Sequence, residues 1–166
     1  MTTELSIVML IVLVCLFGII YWIYTRETNI VRIKKKEIME FKTSMELSGL
    51  PIITFYQGEK AYNFLLDTGS NVSYVNCKSD LKVVPTGIKD TFMGSSGVDA
   101  ECEQVIVRFY RNEIKYEHAM NSADLNTAFT ELKKEYGILV TGLLGNDFFT
   151  KYKYCLDFKE LVAYQR

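Results

Sequence analysis

The apolar and polar positions of this chain follow two different patterns. Residues 5–24 form one unbroken apolar run without a charged side chain. At a helical rise that run spans about 30 Å, the hydrocarbon thickness of a bilayer. Tyr21, Trp22 and Tyr24 crowd its C-terminal end, as aromatics do at a membrane interface. A cleaved signal peptide would want a basic start, and Met1-Thr2-Thr3-Glu4 has none. It would also want a small-x-small cleavage site, which residues 17–22 do not offer. A buried soluble helix would want a polar face, and the run has none. The pattern predicts an N-terminal transmembrane helix over residues 5–24, within an anchor segment of residues 1–24.

After the run the pattern breaks up. Residues 25–40 are polar and basic and read as a juxtamembrane stem, compatible with a helix. From residue 41 short extended runs take over, and the remaining 41–166 read as one domain. Residues 41–47 partly alternate. Residues 51–56 read as a strand, 57–60 as a turn and 61–66 as the return strand of a hairpin. Residues 72–75 lead away from the following loop. Beyond a stretch around Pro85, residues 88–93 and 98–110 flank Gly94-Ser95-Ser96-Gly97, a small hairpin tip. Arg111-Asn112 is a further turn and 113–120 a further strand. Residues 126–136 carry helix formers with Leu125, Phe129 and Leu132 at helical spacing. A short helix starts near Asn146, and 152–158 with 161–164 close the chain as a hairpin. Hairpins with one or two short helices predict a mostly-β barrel or sandwich.

Charge changes the picture at one place. Net charge is −1, and beyond Glu37 there are 14 Lys and Arg against 17 Asp and Glu. That balance gives no reason to expect a nucleic-acid partner. Arg26, Arg32, Lys34, Lys35 and Lys36 lie just after the apolar run, and no basic residue precedes it. The positive-inside rule then puts the C-terminal domain in the cytoplasm. Of four cysteines, Cys15 lies in the apolar run; Cys77, Cys102 and Cys155 read as free thiols of a reducing compartment. With one histidine, His118, and no metal-ligand spacing, no metal site is expected, and no cofactor motif is present.

The candidate chemistry is Leu65-Leu66-Asp67-Thr68-Gly69-Ser70. An apolar strand end delivers Asp67 to the mouth of a loop, with two hydroxyls and a glycine beside it. A lone Asp titrates near ~4 and is a poor general acid or base at neutral pH, so it needs a partner. A turn carboxylate bonding its own backbone is the plainer reading of the same residues.

A second stretch, Leu143-Leu144-Gly145 followed by Asn146-Asp147-Phe148-Phe149, gives the first its context. Together they resemble the retropepsin-like aspartic proteases, closest to single-domain, membrane-anchored bacterial members. There a catalytic Asp-Thr/Ser-Gly loop is backed by a later apolar-apolar-Gly segment that leads into a short helix. The resemblance covers roughly residues 41–166 and implies a retropepsin-like acid protease barrel, half of a pepsin. It implies Asp67 as the catalytic residue, with Thr68, Gly69 and Ser70 supporting its loop. Thr68 would bond across a dimer interface, and Ser70 would bond the outer carboxylate oxygen. Leu143, Leu144 and Gly145 would be the loop-supporting motif, and Gly94, Ser95, Ser96 and Gly97 the flap. The chain departs from viral members at Ser70, at Asn146, in the long stretch 121–137 and in a flap without tyrosine.

One such loop per chain implies a homodimer in which two Asp67 residues meet at a two-fold axis. The implied activity is a membrane-anchored aspartic endopeptidase acting on peptide or protein substrates, with no cofactor. The alternative from another class is an inactive retropepsin-like module that dimerises or holds peptides. A metal hydrolase using Asp67 would lack ligands.

Overall fold

The computed structural model describes residues 17–18, 37–93 and 99–166. The chain divides into two compact units, residues 1–36 and 37–166. Of the first, Phe17 and Gly18 are described, both helical and exposed. The rest of the expected membrane span and the basic run to Lys36 lie outside the described residues. Among the described residues no helix is long and apolar enough to cross a membrane.

The second unit is mostly β. Its strands are β1 (Ile38–Glu40), β2 (Ile52–Gln57), β3 (Lys60–Leu66), β4 (Tyr74–Asn76), β5 (Val83–Met93), β6 (Asp99–Arg111), β7 (Ile114–Ala123), β8 (Val140–Leu144), β9 (Tyr154–Asp157) and β10 (Val162–Gln165). Its helices are α1 (Lys42–Ser48), α2 (Asn126–Tyr136) and α3 (Asn146–Tyr152). Seven strands run in the order β2-β3-β8-β4-β7-β6-β5, and β2 also pairs with β6 at Tyr56 and Tyr110. That extra pairing closes six strands into a ring. The remaining three strands form an antiparallel sheet, β1-β10-β9.

Strict alternation places the core. Val105, Val107 and Phe109 of β6 point inward, as do Tyr116, His118 and Met120 of β7. Phe55, Phe64, Phe109, Tyr116 and Phe148 meet there in edge and offset contacts, with Phe55 and Phe109 centroids 4.5 Å apart. Burying each such ring is worth about 1.5–3 kcal/mol, so these five side chains are a large share of what holds the barrel. Strand β8 lies between β3, to which it is parallel, and β4, to which it is antiparallel. Gly142 permits this close passage: a Cβ there would lie 2.4 Å from the Tyr74 carbonyl oxygen and 2.9 Å from the Phe64 ring.

Several sequence expectations need correction. Residues 41–47 are not extended; Lys42–Ser48 is helix α1, closed by Gly49 in the left-handed region (φ 69°). Phe41 and Met45, four residues apart, pack on the core, while the helix itself has no fully buried residue and so no stripe to read. Three helices are present among the described residues of the second unit, where one or two were expected. The stretch around Pro85 is strand. Pro85 is tolerated because β5 is the edge of the sheet, and the register shifts between Pro85 and Lys89. The compact unit also draws in Ile38–Glu40, ahead of residue 41, through pairing with β10. The expected flap tip, Gly94, Ser95, Ser96 and Gly97, lies outside the described residues; its flanking strands pair up to Met93 and Asp99.

Where the unit begins, a buried carboxylate ties distant strands together. Glu37 is 5% exposed. Its Oε2 accepts from the Tyr116 hydroxyl and, at 3.0 Å, from the Tyr154 hydroxyl. Its Oε1 accepts from Asn112 Nδ2 at 3.0 Å and lies 3.5 Å from Arg111 Nε. Burial, with the Glu37 carboxylate beside them, pushes both tyrosine hydroxyls well above their ordinary range, so they remain donors. Removing one partner of such a buried set typically costs about 3–5 kcal/mol, because the others are left unpaired. Glu37→Ala is therefore expected to lower unfolding stability by about that amount in a urea titration, and Glu37→Gln by less. An Ala variant as stable as the wild type would contradict this role.

Candidate active site

The site is built where β3 and β8 end side by side. Leu65 pairs with Leu143 and Leu66 with Leu144 in parallel register. The ladder continues one residue further, because the Asp67 N–H donates to the Leu144 carbonyl at 2.9 Å. Asp67 thus leaves a two-strand edge rather than a free loop, and the residue is half-buried. Its Oδ1 accepts from the Gly69 N–H at 2.9 Å, and its carbonyl accepts from the Ser70 N–H at 3.3 Å. A Cβ on Gly69 would lie 3.1 Å from Oδ1, so glycine leaves the carboxylate room. Leu65, Leu143 and Tyr74 stand in register across β3, β8 and β4 and are half-buried; Leu65 and Tyr74 pack on a second apolar cluster that includes Leu125 and Phe129.

The other loop residues do two jobs. Thr68 is exposed, and its carbonyl accepts from Asn146 Nδ2 at 3.0 Å. The Ser70 hydroxyl donates to the Val72 carbonyl at 2.7 Å. It does not reach the Asp67 carboxylate, as the resemblance implied; it closes its own turn two residues on.

The return leg of the loop rests on the Gly145 turn. A Cβ on Gly145 would sit 2.6 Å from the Val72 carbonyl oxygen and 2.9 Å from that of Ser70. The first N–H groups of α3 then meet the loop's carbonyls: Asn146 N donates to Ser70 at 2.9 Å and Asp147 N to Asn71 at 3.2 Å. Leu144 and Gly145 therefore touch the loop directly. Leu143 is instead half-buried in register with Leu65 and Tyr74.

Three residues that were not among the expected site residues complete the site. Ser73 is fully buried; its N–H and Oγ–H donate to Asp147 Oδ2 and Oδ1 at 3.0 and 2.6 Å. Ser73 Oγ in turn accepts from the Gly145 N–H at 2.9 Å. His118 Nε2 lies 3.1 Å from Ser73 Oγ and 3.2 Å from Asp147 Oδ2. Burial would lift the Asp147 carboxyl, but hydrogen bonds from His118 and Ser73 outweigh it and hold it below the ordinary carboxylate value. Spacing carried some of the signal: Ser73 comes six residues after Asp67, and Asp147 two after Gly145. His118 is marked only as a polar residue on the buried side of an alternating strand.

A second polar contact lies further along the same sheet. Asn121, 4% exposed, donates from Nδ2 to Asp90 Oδ2 at 3.1 Å, joining β7 to the strand that leads to the hairpin tip. Among the described residues no group of three or more His, Cys, Asp or Glu could hold a metal ion. Cys77, Cys102 and Cys155 are free thiols.

The chain matches no protein-family model and no curated protein. Among solved structures it is similar to one described as "EIAV protease complexed with the inhibitor HBY-793". The two are 18% identical over 63% of this chain and 89% of that one, with a TM-score of 0.42.

Proposed function

We propose that this chain is a membrane-anchored aspartic endopeptidase whose catalytic pair is Asp67 and the Asp67 of a second copy. The observation that carries the reading is the placement of Asp67. Asp67 is a half-buried residue at the end of β3; its backbone N–H is held by the Leu144 carbonyl and its carboxylate by the Gly69 N–H, with the Gly145 turn behind it. The order of the two motifs, Leu65–Ser70 first and Leu143–Gly145 later, supports it from the sequence side.

The chemistry follows from two carboxylates sharing one place. Neighbouring like charges oppose double ionisation, so the pair holds one proton between them and titrates as a unit. The ionised member takes a proton from a water, which attacks the scissile carbonyl carbon. The protonated member donates to the carbonyl oxygen. Collapse of the tetrahedral species delivers a proton to the amide nitrogen and breaks the C–N bond. No covalent enzyme intermediate is involved. The half-buried Leu65, Leu143 and Tyr74, in register at the strand ends beside Asp67, would favour apolar side chains next to the cleaved bond.

The test is cleavage of denatured protein by purified wild type and Asp67→Asn. The amide keeps the shape but cannot cycle a proton. The variant is expected to fold and to lose cleavage by a factor of about 10⁴ or more. Cleavage retained in a clean preparation would end the aspartic-protease reading. A folded wild type that binds peptides without cutting them would favour the binding module.

The anchor and its orientation belong to the same proposal. The run over residues 5–24 would hold the domain to a bilayer, and the five basic residues after it would keep the domain in the cytoplasm. A reporter that works only in the cytoplasm, fused after Arg166, is expected to be active. Activity only from a reporter specific for the opposite side would reverse the topology.

A further inference from the structure

We propose that His118 is a positioning residue for Asp67, which acts as the Nε2–H tautomer to hold the return leg of the Asp67 loop against the end of β8. The tautomer follows from counting protons. The Ser73 hydroxyl has one, and at 2.6 Å from Asp147 Oδ1 it is committed there. Ser73 Oγ already accepts from Gly145 N–H, and it lies 3.1 Å from His118 Nε2. Asp147 Oδ2, 3.2 Å from the same nitrogen, is an acceptor too. Two acceptors face Nε2, so Nε2 carries the proton. Nδ1 is buried without a partner, and a proton there would be a donor with nothing to receive it.

The surroundings argue that this imidazole is not core filler. His118 is 4% exposed and meets Phe148 edge-on at 5.3 Å, with Tyr152 at 6.0 Å. An apolar side chain would suit those rings better and would leave no orphan nitrogen. What the imidazole adds is the donor on Nε2.

One peptide group connects that donor to the carboxylate. The Leu144–Gly145 peptide accepts from Asp67 N–H through its carbonyl and donates to Ser73 Oγ through its N–H. Tilting that plane moves the start of the Asp67 loop. Ser73 fixes the plane from one side, and His118 with Asp147 fixes Ser73. His118 therefore reaches Asp67 through Ser73 and one peptide, without touching it.

The test uses the full-length chain, labelled with ¹⁵N, together with His118→Gln and His118→Ala. Imidazole ¹⁵N correlation spectra are expected to find the proton on Nε2 and a bare Nδ1; the opposite tautomer overturns the proposal. The kinetic arm rests on the proteolytic reading. A small displacement of a reacting group can cost about 10²-fold in rate, so His118→Ala is expected to lower kcat by about that factor with KM changed less than about 3-fold. Gln can place an amide donor where Nε2 was, and is expected to restore kcat to within about 10-fold of wild type. An unchanged kcat in His118→Ala, or a Gln variant as poor as Ala, overturns the proposal. If His118→Ala does not fold, the Gln variant decides alone: kcat near wild type supports the role and a 10²-fold loss contradicts it. If the wild type itself cuts nothing, the proteolytic reading fails separately. The tautomer and the amide exchange of Asp67 and Gly145 then judge the lock. Exchange about 10-fold faster in His118→Ala than in His118→Gln supports it, and equal exchange overturns it.

Discussion

One peptide group, between Leu144 and Gly145, sets the geometry of the whole site. Its carbonyl takes the Asp67 N–H at 2.9 Å, and its N–H goes to the buried Ser73 hydroxyl at 2.9 Å. The two ends of the loop that carries the carboxylate are thus fastened to opposite edges of one rigid plane. Everything nearby serves that fastening. Gly145 has no Cβ because the Ser70 and Val72 carbonyls occupy its place. Gly142 has none because β8 must run close to β4 and Phe64. Strand β8, inserted between β3 and β4, delivers the plane to the right depth.

The unit gathers its buried polar groups into a few small clusters, two of which join several distant strands. Glu37 gathers Tyr116, Tyr154, Asn112 and Arg111 where the chain enters the fold. Ser73, His118 and Asp147 gather behind the Asp67 loop. Between the two clusters lies the aromatic core of Phe55, Phe109, Tyr116 and Phe148, and Tyr116 belongs to both the core and the Glu37 cluster. Apolar packing supplies the bulk of the stability, whereas the polar clusters require particular strands to meet in one register. Asn76 works in the same way on a smaller scale. Its side chain bonds Asn126 Oδ1 and accepts from the Lys78 and Leu125 N–H groups, tying down the start of α2.

What could be read from the sequence was what is local. The β2–β3 hairpin, the helix over residues 126–136, the helix starting at Asn146 and the last hairpin all carry their own periodicity or turn residues. Asp67 and Gly145 were legible because each sits in a short apolar context. Helix α1 was not, since it rests on the surface and buries no whole side chain. Strand β1 was not, because its partner β10 lies at the far end of the chain. The cluster behind the loop was least legible of all. Ser73 is 45 residues from His118 and 74 from Asp147, and only the closed ring of strands brings them together. A buried serine, a single histidine and an aspartate near a helix start each look ordinary alone.

Each chain offers one carboxylate of this kind, and the chemistry assigned to it needs two. The most direct measurement is specific activity of the purified full-length chain, in detergent, across a dilution series with particle mass followed in parallel. The account predicts a rate that falls with the square of chain concentration at high dilution, as the dimer fraction drops by mass action. Constant specific activity on a particle of single-chain mass would contradict it, because Asp67 would then be working without a second copy.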